Sequence, residues 1–183
     1  VNIQQLADEK VFLRRFTQAD AALVQKFAGD FAVADTTLRI PHPYPDGAAE
    51  KWIATHDAMF EQATGAVFAI TTQPDQKLAG CIGIEVNRAH NNGEIGYWIG
   101  QPFWGQGYCT AALRLFLPYC FSKLDLHRVQ AYHLARNQAS GRVMEKAGLR
   151  REGFFRENIL KSGKYEDVVF YGLLRNDYKN TKV

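Results

Sequence analysis

Hydrophobic positions alternate in several stretches of this 183-residue chain, and elsewhere they recur every three or four residues. Alternation predicts strands with one buried face, and the longer period predicts helices that bury one stripe. "KVFLRRF" alternates into a short strand. "TQADAALVQKFAGDF" then takes the helical period, with Thr17 as an N-cap. Three prolines in "PHPYPDG" (41–47) predict an irregular loop. From Ala48 to about Gln62 the helical period returns, with Trp52, Ile53, Met59 and Phe60 near one face. "AVFAITT" and "KLAGCIGIEV" flank the turn "QPDQ" as a hairpin. A polar loop, "NRAHNNG", leads to the strand "EIGYWIG". A helix runs from about Gly107 to Phe121, and Pro118 is expected to kink or end it. "HRVQAYHL" reads as a strand and "NQASGRVMEKAG" as a short helix closed by Gly148. "LRREGFFRENI" and "KYEDVVFYGLL" form a last hairpin around "KSGK". This order predicts an α/β fold with a mixed sheet of six to seven strands, the central strand–helix–strand unit being parallel.

There is no repeat, low-complexity tract or long linker, so residues 1–183 are read as one domain. Hydrophobic residues at 46% and charged residues at 22% exclude a disordered or fibrous chain. A net charge of +3 is too small to argue for nucleic acid, though it suits a weakly anionic ligand. The three cysteines, Cys81, Cys109 and Cys120, lack C-x-x-C spacing. They argue against a disulfide framework or zinc site and for a reducing compartment, and no metal is expected. The polar start "VNIQQLADEK" has no apolar signal-peptide core, and no apolar run is long enough for a bilayer. A cytoplasmic protein without membrane contact is the expectation.

The chemistry concentrates at Gly105 and Gly107, just where a helix must begin. A helix N-terminus offers unpaired N–H groups and the positive end of a dipole, and glycines let an anion approach them. A phosphate or pyrophosphate cradle is one reading, and a tight strand-to-helix turn without a ligand is the other. The P-loop pattern is absent, and the dinucleotide pattern G-x-G-x-x-G fails at Thr110. Asp125 lies about the expected ~20 residues beyond the first glycine, but it precedes the next strand instead of ending it.

"EIGYWIGQPFWGQGYCTAAL", followed by "LHRVQAYHLARNQASGRVMEKAGLRREG", resembles the GNAT superfamily of acetyl-CoA-dependent N-acetyltransferases. It is most similar to the RimJ/RimL type, which acetylates ribosomal-protein N-termini. The resemblance runs from "FLRRFTQAD" to "YEDVVFYGLL". One departure is Pro102, which stands where the superfamily pattern [QR]-x-x-G-x-G has Gln or Arg; Gln101 is one residue too early. The resemblance implies a V-shaped gap between "EIGYWIG" and "HRVQAYHL" that holds acetyl-CoA. Its pyrophosphate would lie on the amides of Gly105, Gln106, Gly107, Tyr108, Cys109 and Thr110, with backbone groups of Trp98 and Ile99 along the pantetheine arm. Asn137 would hold that arm, its other reading being an N-cap. Glu94 stands where the family carries an acidic residue that activates the amine; otherwise it is a solvated carboxylate. Alternation puts Gly96 and Trp98 on the face of Glu94, unless a bulge shifts the parity. The family's proton-donating Tyr position is Met144 here, which leaves Ser140 as the nearest hydroxyl donor.

On the acceptor side, "PHPYPDGAAEKW" is expected to form part of the wall. His42 and Tyr44 are candidates to recognise the acceptor, and Trp52 reads as core. The resemblance also brings Arg156, Tyr165 and Asp167 of the last hairpin to the acceptor site, where a carboxylate such as Asp167 can hold an ammonium group. His90 reads mainly as an exposed loop residue. The cysteines have no evident base beside them, so a covalent acetyl-enzyme is not expected, while Cys109 at the helix start is a candidate for a lowered thiol pKa. The expected function is direct acetyl transfer to a protein or peptide α-amine, a ribosomal protein being one such acceptor. The same chemistry on an amino acid, polyamine or aminoglycoside stays open, as does a non-catalytic acyl-CoA-binding module.

Overall fold

Strand β2 (Gly65–Thr72) is buried at every position, as a strand covered on both faces must be. Ala66, Phe68 and Ile70 point into one core, and Val67 and Ala69 into another. The computed structural model that shows this describes residues 6–180. Its sheet has seven strands in the order β1-β2-β3-β4-β5-β7-β6. These are β1 (Val11–Arg14), β2, β3 (Leu78–Asn87), β4 (Asn92–Ile99), β5 (Arg128–Leu134), β6 (Arg150–Lys161) and β7 (Lys164–Leu174). Every neighbouring pair is antiparallel except β4 and β5, which are parallel.

One face of the sheet packs on α5 (Tyr108–Pro118) and α6 (Gln138–Lys146), with Leu113, Phe116, Leu117 and Met144 in its core. The other face carries α1 (Ala21–Ala28), α2 (Phe31–Thr36), α3 (Ala48–Ala54) and α4 (His56–Glu61), around Val24, Val33, Ile53 and Trp98. A short α7 (Arg175–Asn180) follows β7. Among the described residues, no helix is long and apolar enough to cross a membrane.

The structure refines several sequence expectations. The helical stretch after Gly47 is two helices that meet at Thr55. Helix α2 had no counterpart in the periodicity, because six residues hold too few turns to show a stripe; Asp30 caps it, accepting from Ala32 N at 2.8 Å. Near Thr17 the chain first makes a 3-10 turn (Gln18–Asp20), and the Asp20 carboxylate accepts from the Thr17 N–H at 2.8 Å. At Pro118, which has no N–H to donate, α5 gives way to a wider π turn over Tyr119–Lys123.

Candidate active site

Parallel pairing joins β4 to β5 at only three positions, Asn92↔Arg128, Gly93↔Val129 and Glu94↔Gln130. Both strands continue, β4 to Ile99 and β5 to Leu134, without pairing each other. The result is a wedge in the middle of the sheet. The register of β3 on β4 decides which backbone groups face it. Gly100 N donates to Ala79 O at 2.8 Å. Antiparallel bonds fall on every second pair, so the groups of Trp98 turn to Cys81 on β3, and those of Tyr97 and Ile99 turn to the wedge. The Trp98 backbone, expected to lie along a ligand arm, thus turns to β3, and it is Tyr97 and Ile99 whose backbone groups face the wedge. Trp104 covers part of this edge, its indole Nε1 donating to Ile99 O at 2.6 Å.

Beyond β4 the chain turns through Gly105 and Gly107, with φ of 73° and 80°. These left-handed values strain any residue with a Cβ. No heavy atom lies within 4 Å of where a Cβ on Gly105 would stand, so the turn is open. Gly107 precedes α5, and Ala111 N bonds to its carbonyl at 3.1 Å. The amides of Tyr108, Cys109 and Thr110 therefore lie in the first turn, ahead of any intrahelical partner. Lys10 reaches in from the start of β1 and donates from Nζ to Gln106 O at 2.9 Å. The Gln106 side chain donates to Pro102 O at 3.0 Å, which ties down the turn on the side where the family's Gln or Arg is missing. An open Gly105, a helix N-terminus and a lysine cation beside Gly107 together fit a diphosphate. The lowered pKa expected for Cys109 is corrected: burial pushes its thiol up, as it does those of Cys81 and Cys120.

The β3–β4 register runs without a shift from Gly80↔Ile99 to Asn87↔Asn92. It places Glu94 opposite Glu85, Gly96 opposite Gly83 and Trp98 opposite Cys81, all on the α1–α4 face. The two glycines floor a hollow whose mouth carries the two carboxylates. Arg39, from the loop after α2, ion-pairs with Glu85 and brings a guanidinium nitrogen to 3.8 Å from Glu94. Tyr132 of β5 stands nearby; burial raises its phenol pKa, and the Glu94 charge adds to that.

On the α5–α6 face, Tyr97 approaches the first turn of α6. Its hydroxyl lies 2.8 Å from Ser140 Oγ and donates to Ser140 O at 3.1 Å. Burial holds the Tyr97 phenol well above its ordinary pKa, so it keeps its proton. Asn137 caps α6, its side-chain oxygen accepting from Ser140 N at 3.3 Å. Met144, at the family's Tyr position, is buried against the core. A cavity of about 1000 Å³ runs through the wedge and joins the two faces. Glu94, Tyr97, Ile99, Gly105, Gly107, Asn137 and Ser140 all line it.

Tyr44 and Trp52 line the same cavity. His42 does not; its Nδ1 is 3.1 Å from Gly29 O and its ring meets Phe31 edge-on. Asp167 also lies away from the lining, accepting from Glu157 N at 2.8 Å where β6 bulges. His90 stays in the exposed turn before β4. Tyr97, Arg39 and Lys10 are among the residues at the site that had escaped sequence reasoning. Tyr97 was visible in principle, since alternation sets it on the face opposite Glu94. Arg39 and Lys10 reach the site across long stretches of chain and leave no local signal.

Residues 10–150 match the acetyltransferase (GNAT) domain family. The chain is 32% identical to a probable N-acetyltransferase, YjcK, of Bacillus subtilis over 150 residues, covering 81% of this chain and 83% of that one. It is 24% identical to the [ribosomal protein uS5]-alanine N-acetyltransferase of Escherichia coli, covering 75% and 71%. It is also 28% identical to a spermidine N(1)-acetyltransferase of Vibrio cholerae, covering 53% and 56%. Among solved structures, the ribosomal L7/L12 α-N-protein acetyltransferase RimL in complex with coenzyme A superposes with a TM-score of 0.83 at 18% identity, covering 91% and 95%. The wedge, the glycine turn and these relatives agree: the chain belongs to the GNAT family of N-acetyltransferases.

Proposed function

We propose that this acetyltransferase uses acetyl-CoA to acetylate the α-amine at the end of a protein or peptide chain, with Glu94 as base and Ser140 as proton donor. Acetyl-CoA supplies the activated acetyl group as a thioester. The amides from Gly105 to Thr110 and Lys10 would hold its diphosphate, while Tyr97, Ile99 and Asn137 would hold the pantetheine arm. Glu94 takes the proton of the incoming ammonium, and Ser140, backed by Tyr97, gives one to the departing sulfur. The observation that carries this reading is the cavity itself. It puts a carboxylate on one face of the sheet and a hydrogen-bonded hydroxyl pair on the other, with the wedge between.

An α-amine near pKa ~8 is already partly neutral at pH 7, so a single carboxylate suffices as its base; a lysine near ~10.4 asks more. The uS5-alanine relative supports an α-amine, and the wall near Tyr44 suits a chain end. Glu94→Gln is expected to lower kcat/KM by roughly 10² to 10⁴. Acetyl-CoA affinity, measured by calorimetry, should stay unchanged, because Glu94 faces the amine. Full activity in that variant would remove Glu94 as base. Mass spectrometry of peptides with free or blocked N-termini, offered beside spermidine and free amino acids, tests the acceptor. Acetylation confined to lysine side chains or small amines overturns the α-amine reading.

A further inference from the structure

We infer that Arg39 sets the charge an acceptor must bring to the cavity mouth: one ammonium group and no second cation. The inference rests on Glu94 as the group that receives the amine. Glu85 and Glu94 are direct cross-strand neighbours on one face of β3 and β4. Like charges placed so are destabilising unless a cation answers them. Arg39 answers both unequally, bonded to Glu85 and 3.8 Å from Glu94. The charged residues of the cavity lining are Arg39, Glu85, Glu94, Arg142 and Lys146. Arg142 and Lys146 belong to α6, on the cofactor side. The acceptor mouth thus holds two carboxylates and one built-in cation. A single ammonium completes the balance at Glu94, and a diamine finds Glu85 already taken.

Arg39 is well placed for a selective role because it is weakly held. Its side chain is 65% exposed and that of Glu85 56%. An exposed ion pair of this kind shifts an equilibrium by roughly fivefold at most. Removing Arg39 therefore spares the fold and frees a carboxylate about 5 Å, Cβ to Cβ, from the one that receives the amine.

The test compares kcat/KM in three variants for an Ala-initiated peptide amide without a second cation (the monoamine) and the same peptide with lysine at its second position (the diamine). Arg39→Gln is expected to raise the diamine-to-monoamine ratio roughly twofold to fivefold. Arg39→Lys keeps the charge and leaves the ratio at the wild-type value. Glu85→Gln turns Arg39 wholly toward Glu94, so it lowers kcat/KM for every amine without raising the ratio. Equal losses on all substrates in Arg39→Gln and Glu85→Gln, with an unmoved ratio, would mean a structural role and overturn the inference. So would a wild-type enzyme that already prefers the diamine. The reading of Glu94 as base fails separately, through an active Glu94→Gln.

Discussion

At the scale of single residues, the least expected contact is between Tyr97 and Ser140. A serine hydroxyl is a poor acid by itself. Here it meets a phenol that burial keeps protonated, 2.8 Å away. Either hydroxyl can be the donor in that contact, and the phenol also reaches the Ser140 carbonyl at 3.1 Å. In the proposed transfer, as Ser140 gives up a proton the phenol can supply the hydrogen bond that the serine then lacks. On that proposal Tyr97 acts as a positioning residue. Tyr97→Phe should lower kcat roughly threefold to tenfold, the range of one neutral hydrogen bond near 1 kcal/mol. Calorimetry should find acetyl-CoA binding nearly unchanged. Residues acting as a unit are non-additive, so the double variant with Ser140→Ala should lose little more than Ser140→Ala alone. Fully additive losses would uncouple the pair.

At the scale of elements, α3 and α4 are pinned by His56. Its ring lies against Trp52 at 4.4 Å and Phe16 at 5.6 Å, and neither ring nitrogen has a hydrogen bond. Burial, with help from the Arg15 cation, lowers its pKa to about 4. The imidazole is neutral in the fold, whereas the unfolded chain takes up its proton near pH ~6.5. Its contribution is therefore complete above pH ~6.5 and is lost as pH falls toward 4, up to about 3 kcal/mol. Urea midpoints at pH 7.5 and pH 5 should show the decline, and His56→Phe should flatten it. A variant as acid-sensitive as the parent would exclude His56 as the cause. None of this was legible from the sequence, where His56 sat inside one continuous helical period. The strands were legible, because alternation and the turns "QPDQ" and "KSGK" bound them on both sides. So was the glycine turn, because two left-handed positions at a helix start demand glycine. The register of β3 on β4 was not legible, and it turns the backbone of Tyr97, not of Trp98, to the wedge. Nor was Arg39 at Glu94, which the sequence holds 55 residues apart.

At the scale of the whole molecule, the sheet has an edge in its interior as well as at its rims. Past Glu94, β4 turns the backbone groups of Tyr97 and Ile99 to the wedge, and Trp104 covers the Ile99 carbonyl. Unpaired strand edges template the addition of foreign strands, and proteins blunt them with charge, bulges or cover. In this protein the pantetheine arm, itself a chain of amides, would be the cover. Acetyl-CoA would then act as a folding ligand as well as a substrate, and its binding would oppose aggregation. Light scattering during heating should show the ligand-free enzyme clouding at a lower temperature than the enzyme saturated with coenzyme A. Adenosine 3′,5′-bisphosphate, which has no arm to lay along β4, should protect less than its affinity alone would give. An enzyme deprived of coenzyme A would then lack, along with its acetyl donor, the cover of its interior edge.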